Sequence, residues 1–293
     1  MDLFNEIKKE IIITPKNYLV NFKKLESINN HYAVIGIGMI QDNFPLYYDA
    51  INEYGLGFVA LNFPYFCKYY KYKSKHINLA PFELGLYLLI NFKSINEIKK
   101  IIKNINLCNI DFSKNLKNTP LHFMISDQKE TIVIEPTLEG FKIYDNPFDI
   151  LTNSPPFSYH KTNLLNYINL TNKDIKNNLN SSLNFTHYSH GMGAIGLPGD
   201  FSSTSRFIKG YFVKSFLDLS IDNILQSFKC LDSISMIKGC VQVNDLYEYT
   251  VYSSLYDLKK GILYYKTYLN PIIKSRNIYD YDIYSSFLIN EKL

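Results

Sequence analysis

Apolar residues in the first sixty positions come in short β-branched and aromatic runs, not at helical spacing. Residues 10–14 (EIIIT) make one run, which stops at Pro15. Residues 32–40 (YAVIGIGMI) make a second and residues 56–61 (LGFVAL) a third. Each predicts a strand. Residues 48–57 (YDAINEYGLG) carry the Asp, Asn and Gly of turn chemistry and predict a turn before the third strand. The period then changes. Residues 80–92 (APFELGLYLLINF) have a proline near their start and an apolar face, and predict a helix. A second helix is predicted from Ser94, where Ser94 and Glu97 stand in capping-box spacing and Ile95, Ile98, Ile101 and Ile102 share a stripe. Strands return at residues 121–126, 131–135 and 141–144. Residues 163–189, rich in Asn, Ser and Thr, read as a long excursion. Residues 204–218 and 221–230 read as helices, and residues 248–255 and 261–268 flank a YDLKKG turn as a hairpin.

Blocks of neighbouring strands thus alternate with pairs of helices. Regular βαβ alternation is missing, as are GxGxxG and GxxxxGK[ST], so antiparallel sheets with segregated helices fit better than a doubly wound nucleotide fold. No internal repeat or long linker divides the chain, and one α+β domain over residues 1–293 is expected. A hydrophobic content of 46% against 20% charged residues supplies a sizeable core. No apolar run reaches membrane-spanning length, and MDLFNEIKKE lacks the basic-then-apolar order of a signal peptide. A cytoplasmic protein without a membrane partner is the reading. The 31 basic and 27 acidic residues leave a net charge of only +4, and only Arg206 and Arg276 are arginines, which argues against a nucleic-acid partner. The 25 Tyr, 20 Phe and absent Trp, with abundant Asn, Ile and Lys, match the codon bias of an AT-rich genome and carry little functional information.

Candidate chemistry is sparse. Cys67, Cys108, Cys230 and Cys240 match neither a CxxC zinc knuckle nor a disulfide scaffold and read as free thiols. His187 and His190 show no third ligand nearby in sequence and HExxH is absent, so no metal and no cofactor are expected. Polar groups in apolar or turn-forming surroundings stand out instead. Asn62 ends the run GLGFVALNFP, Asn153 precedes a serine and two prolines in ILTNSP, and the loop GMGAIGLPGDFSSTSRF leads into a helix containing Arg206. Taken singly, each has an ordinary account: a strand-end turn, an Asx-turn, a flexible loop, a surface arginine.

Taken in order, these segments resemble the choloylglycine hydrolases, the bile-salt hydrolase and penicillin V acylase group of N-terminal nucleophile hydrolases. The resemblance runs from Asp2 to about Asn270 through ITPKNY, AVIGIGM, NEYGLGFVALNFP, NLAPFELGLYLL, PLHFMISD, ETIVIEPT, YDNPFDILTNSP, GMGAIGLPGDFSSTSRF, YTVYSS and GILYYKTY. It implies an αββα four-layer sandwich of two antiparallel sheets. The implied chemistry is hydrolysis of a linear amide by an N-terminal cysteine whose own α-amine serves as base. By motif, Asn62 and Asn153 would supply oxyanion and substrate-positioning donors, Asp2 would hold the nucleophile's amino group, and Arg206 would anchor charge beside the thiol. Tyr47, Phe112, Leu116 and Leu121 match the family's steroid-facing positions. Asn62 in LNFP, where the penicillin acylase branch tends to carry tyrosine, favours a conjugated bile salt over penicillin V or another N-acyl amide. The excursion, with Leu164, Leu165, Tyr167, Ile168 and Leu170, matches a segment that packs between subunits in the family and implies a homotetramer.

The resemblance also places Met1-Asp2 at the end of an Arg-Asn-Met-Asp or Arg-Asn-Leu-Asp motif. One hairpin of about twenty residues, carrying the cysteine and an arginine, would precede it. No interior cysteine offers a free α-amine, so the polypeptide as written is expected to be inactive in the family reaction. An internal methionine taken as the start is the favoured explanation, and a truncated remnant that at most binds amphipathic ligands is the alternative.

Overall fold

The computed structural model describes residues 2–3, 8–177, 179–180 and 182–293, with residues 2–3 described by their backbone alone. Its centre is an eight-stranded sheet. The strands run in the order Gly140–Asp145, Thr131–Thr137, Leu121–Ser126, Gly57–Asn62, Phe44–Asn52, Val34–Gln41, Glu10–Thr14, Ile289–Lys292, every pair antiparallel. Successive side chains along a strand point to opposite faces, and here both faces are covered. Ile12, Val34, Phe58, Ile125, Ile132 and Ile134 go to one core, while Ile11, Ile13, Ile35, Ile37 and Ile51 go to a second. Burial on both sides explains why these strands read as unbroken apolar runs instead of alternating patterns.

The first face is roofed by helices α1 (Leu84–Asn91) and α2 (Ile95–Ile101), whose Leu84, Leu88, Leu89, Ile95 and Ile98 are fully buried. The Ser94 hydroxyl accepts from the Glu97 amide at 3.4 Å, as the capping box requires. The Glu97 carboxylate, however, takes the Lys93 amide at 2.8 Å in place of that of Ser94. A three-stranded antiparallel sheet (Tyr252–Asp257, Ile262–Thr267, Lys274–Asn277) covers the second face through Tyr252, Leu263 and Tyr265. The remaining helices are α3 (Phe157–Leu164), α4 (Ser203–Ser215) and α5 (Asn223–Ser233). Helix α5 lies on the Tyr252–Asp257 strand and packs against α4, giving the order helices, sheet, sheet, helices.

Residues 48–52 do not form the expected turn. They complete the nine-residue strand Phe44–Asn52, and the turn is confined to residues 53–56. The polar residues that suggested a turn are satisfied internally. Asn52 donates to the Leu89 and Phe92 carbonyls, both at 2.7 Å, and accepts the Tyr54 and Leu56 amides at 3.0 Å. Asp49 reaches across to the second sheet, where Tyr252, Ser254 and Tyr256 donate their hydroxyls to its carboxylate, Ser254 at 2.9 Å. A β-bulge lies beside it, since Ile37 faces Asp49 but Gly38 faces Tyr47. At Gly38 a Cβ would sit 2.2 Å from the Leu46 carbonyl oxygen, so the close approach of the two backbones demands glycine.

Candidate active site

The site is assembled where the central strand Gly57–Asn62 ends. Asn62 is the last residue of that strand, opposite Leu121, with its side chain exposed. A turn after the strand Gly140–Asp145 brings residues 151–155 alongside. Asn146, 2% exposed, holds this turn by donating to the Ile150 carbonyl at 3.0 Å and accepting the Phe148 amide at 3.2 Å. Ser154 Oγ then donates to the Pro64 carbonyl at 2.7 Å and docks the loop just beyond Asn62.

The start of α4 grips the same loop from the other side. Ser202 caps the helix by accepting the Ser205 amide. Ser203 Oγ donates to the Asn153 carbonyl at 2.8 Å, and Thr152 Oγ1 donates to the Ser203 carbonyl at 3.0 Å. Three residues further along, Arg206 faces the same way. Its Nη2 donates to Asn153 Oδ1 at 2.7 Å and its Nε to the Phe201 carbonyl at 3.1 Å. A guanidinium has no acceptor, so it fixes which end of the asparagine amide faces it. The Asn153 amide nitrogen is thereby turned toward Asn62, whose carbonyl it meets at 2.9 Å. One of its two N–H groups is spent there. Asn62, Asn153 and Arg206, separated by 91 and 53 residues, form one constellation.

Behind it lies a buried polar cluster that sequence reasoning missed. His160 of α3 donates Nε2–H to the Asn153 carbonyl at 3.0 Å and stacks on Phe207, with centroids 4.7 Å apart. Burial holds its pKa below the ordinary imidazole value, so the ring is neutral. Close by, His122 donates Nδ1–H to Glu135 Oε1 at 3.1 Å, and that oxygen also accepts the Phe157 amide at 2.8 Å. His122 Nε2, Glu135 Oε2 and His160 Nδ1 are buried without a protein partner among the described residues. Buried orphan atoms of this kind are where ordered water is commonly held. The available signal was a lone histidine one helical turn after the two prolines.

The other expected residues are distributed differently. The strand Asp2–Leu3 pairs with Tyr249–Thr250 in a separate two-stranded sheet, and the Asp2 side chain lies outside the described residues. Tyr47 is in the core, its hydroxyl bonded to Thr14 Oγ1 at 2.8 Å and its pKa pushed well above the usual phenol value by burial. Phe112 is also buried, edge-on to Phe82 at 5.1 Å. Leu116 and Leu121 are half-buried on the margin of that core, and Leu121 neighbours Asn62. All four cysteines are free. Cys67 points its thiol at the Leu121 carbonyl, 3.6 Å away, and burial pushes its pKa up, against thiolate formation.

Residues 1–290 match the family of linear amide C–N hydrolases, choloylglycine hydrolase family. The chain belongs to the choloylglycine hydrolase family. It is 45% identical over 276 residues, 93% of this chain and 84% of the relative, to a bile salt hydrolase/transferase of Lactiplantibacillus plantarum. It is 36% identical to a bile salt hydrolase/transferase of Clostridium perfringens, with 94% and 86% covered. A variant of conjugated bile acid hydrolase from Clostridium perfringens superposes with a TM-score of 0.93 at 33% identity, covering 100% of this chain and 92% of that one. Penicillin V acylase from Agrobacterium tumefaciens superposes at 0.77 with 15% identity and 99% and 85% covered, a likeness of fold alone. The αββα sandwich is thus the N-terminal nucleophile hydrolase fold of these choloylglycine hydrolase relatives. Among the described residues no helix is long and apolar enough to cross a membrane.

Proposed function

We propose that the chain serves hydrolysis of the amide bond in glycine- or taurine-conjugated bile salts. In this reading Asn62 and Asn153 donate to the tetrahedral oxyanion. Arg206 fixes Asn153 and lowers the energy of a nearby thiolate, and Asp2 holds the amine of a nucleophilic cysteine on a hairpin ahead of it. The observation that carries the proposal is the orientation of Asn153. Its amide is pinned at Oδ1 by Arg206 and at the backbone by Ser203 and His160, so its donor is set before substrate arrives. The names of the two relatives given above support the bile-salt substrate. The strand Tyr252–Asp257 supports the position of the hairpin, because it is an edge of the second sheet among the described residues and leaves room for further strands. The reading extends to a cytoplasmic homotetramer. It is supported by four unpaired cysteines, as in reducing compartments, and by the exposed apolar Leu165 and Ile168.

The test has two arms. The chain as it stands is titrated calorimetrically with a glycine-conjugated bile salt. A second form, with a cysteine-first hairpin joined ahead of Asp2, is assayed for glycine or taurine release and for penicillin V cleavage. Binding in the first arm and preferential bile-salt cleavage in the second are expected. Faster cleavage of penicillin V would overturn the substrate, and binding without cleavage in either form would favour a non-catalytic binder.

A further inference from the structure

The excursion between α3 and α4 brings together three side chains that sequence spacing leaves apart. His187 and His190 stand three residues from each other, and the fold delivers Asp174 beside them. Asp174 Oδ2 lies 3.2 Å from His190 Nδ1 and 3.6 Å from His187 Nε2, and the ligand atoms of the three residues are all within 4.8 Å of one another. Bonds of about 2.0–2.1 Å to a tetrahedral zinc ion set neighbouring ligand atoms about 3.3 Å apart. The two distances from Asp174 bracket that edge.

We propose that Asp174, His187 and His190 form a binding site for a divalent transition metal ion, with zinc as its representative. Two imidazoles and one carboxylate suit zinc, cobalt or nickel, whereas magnesium and calcium prefer oxygen donors throughout. Three protein ligands leave a fourth position for water or another donor.

Two features of the geometry favour a shared ion. A single carboxylate oxygen is shared by two imidazoles whose ring centroids are 6.0 Å apart. Both ring nitrogens thus converge on one point beside that oxygen, as ligands of a single ion do. The flanks are also tied together by the backbone, independently of the three ligands. The Thr171 amide donates to the Gly193 carbonyl at 3.0 Å. Gly193 is pressed so closely on Lys173 that a Cβ there would sit 2.2 Å from its carbonyl oxygen. This neck holds Asp174 and His190 face to face before any ion arrives, which lowers the entropy cost of closing a site across the sixteen-residue separation. A bound ion would clip the base of a segment whose Leu179, Phe185 and Tyr188 are exposed.

The proposal is tested on the full chain, stripped with a chelator and titrated with zinc chloride by calorimetry. Cobalt(II) absorption reports coordination geometry. Saturable one-to-one binding and intense tetrahedral cobalt bands are expected. His187→Ala and Asp174→Asn should each weaken zinc binding about tenfold or more, and Cys240→Ser, which removes an exposed thiol elsewhere, should leave it unchanged. All three positions are exposed, so far-UV circular dichroism should match the parent. No saturable binding would overturn the site, as would undiminished affinity in both ligand variants or loss of binding in Cys240→Ser. Bile-salt cleavage plays no part in this readout, so the site stands or falls apart from the proposed reaction.

Discussion

Asn153 is held at both ends, and that sets what its removal should do. A preorganised oxyanion donor is worth about 3 kcal/mol in the transition state. In the hairpin-bearing form, Asn153→Ala is expected to lower kcat about 100-fold with a smaller change in KM. Arg206→Lys keeps the charge but loses the fork that joins the Phe201 carbonyl to Asn153. Activity should fall, and the pH dependence of alkylation should show a raised thiol pKa. Lower thermal stability with unchanged turnover and thiol titration would confine Arg206 to packing. His160 makes a separate prediction. Its folded-state pKa lies below the ordinary 6.5, so as pH falls through 6.5 the unfolded chain takes up a proton that the folded chain refuses. Stability should therefore decline with acidification below pH 6.5. Denaturant midpoints of His160→Gln, which keeps a donor toward the Asn153 carbonyl, should lack that component of the slope.

At the scale of elements, the position of Arg206 depends on how α4 begins. Ser202 caps the helix, and its replacement by alanine should cost about 1 kcal/mol by urea unfolding. Just ahead of it, hydrogen bonds from the Ser202 side chain, from the Ser205 hydroxyl at 2.5 Å and from the Ser202 amide at 2.9 Å pull the pKa of Asp200 down from 3.8 to about 2. A depressed carboxyl contributes stability that is complete above its unfolded value and lost as pH drops through the folded one. Asp200→Asn should differ from the parent above pH 3.8, and the gap should close as pH falls toward 2.

The same scale shows what the chain made legible. The runs at residues 10–14 and 121–126 are strands with those bounds, because burial on both faces left unbroken apolar stretches. Residues 48–52 were opaque because Asp49 and Asn52 have turn chemistry in sequence and acquire their partners only from the second sheet and from the end of α1. Lys274–Asn277 and Ile289–Lys292, reading KSRN and INEK, carry no apolar run and owe their extension to neighbouring strands. Asn62, Asn153 and Arg206 could be picked out by family likeness, not by composition. His160, Glu135 and Ser203 could not, since each acts through a backbone carbonyl or amide that sequence does not display.

At the scale of the whole molecule, the apolar surface around α3 bears on assembly. Leu164, Tyr167 and Leu170 turn inward onto Phe157, Phe207 and Ile208, while Leu165 and Ile168 remain 65% and 80% exposed. Together with Phe216 they line a groove of about 400 Å³ between α3 and α4. Exposed apolar patches of this kind commonly mark subunit contacts. Light scattering at micromolar concentration should give the mass of a tetramer, and Ile168→Glu should shift it toward smaller species. A monomer, persisting once the hairpin is present, would sink the assembly proposal.

The pairing of Ile289–Lys292 with Glu10–Thr14 also imposes an order on biosynthesis. While the protein is being translated, the nascent chain emerges with Ile11, Ile12 and Ile13 in a strand whose outer neighbour has not yet been made. An uncovered apolar edge is a template for pairing with other chains. The ribosome must therefore release residues 289–292 before this apolar strand gains its polar outer neighbour. Deleting residues 286–293 should leave far-UV circular dichroism largely native but move the product from the supernatant to the pellet after overexpression. Supplying the missing strand as a synthetic peptide during refolding should restore solubility.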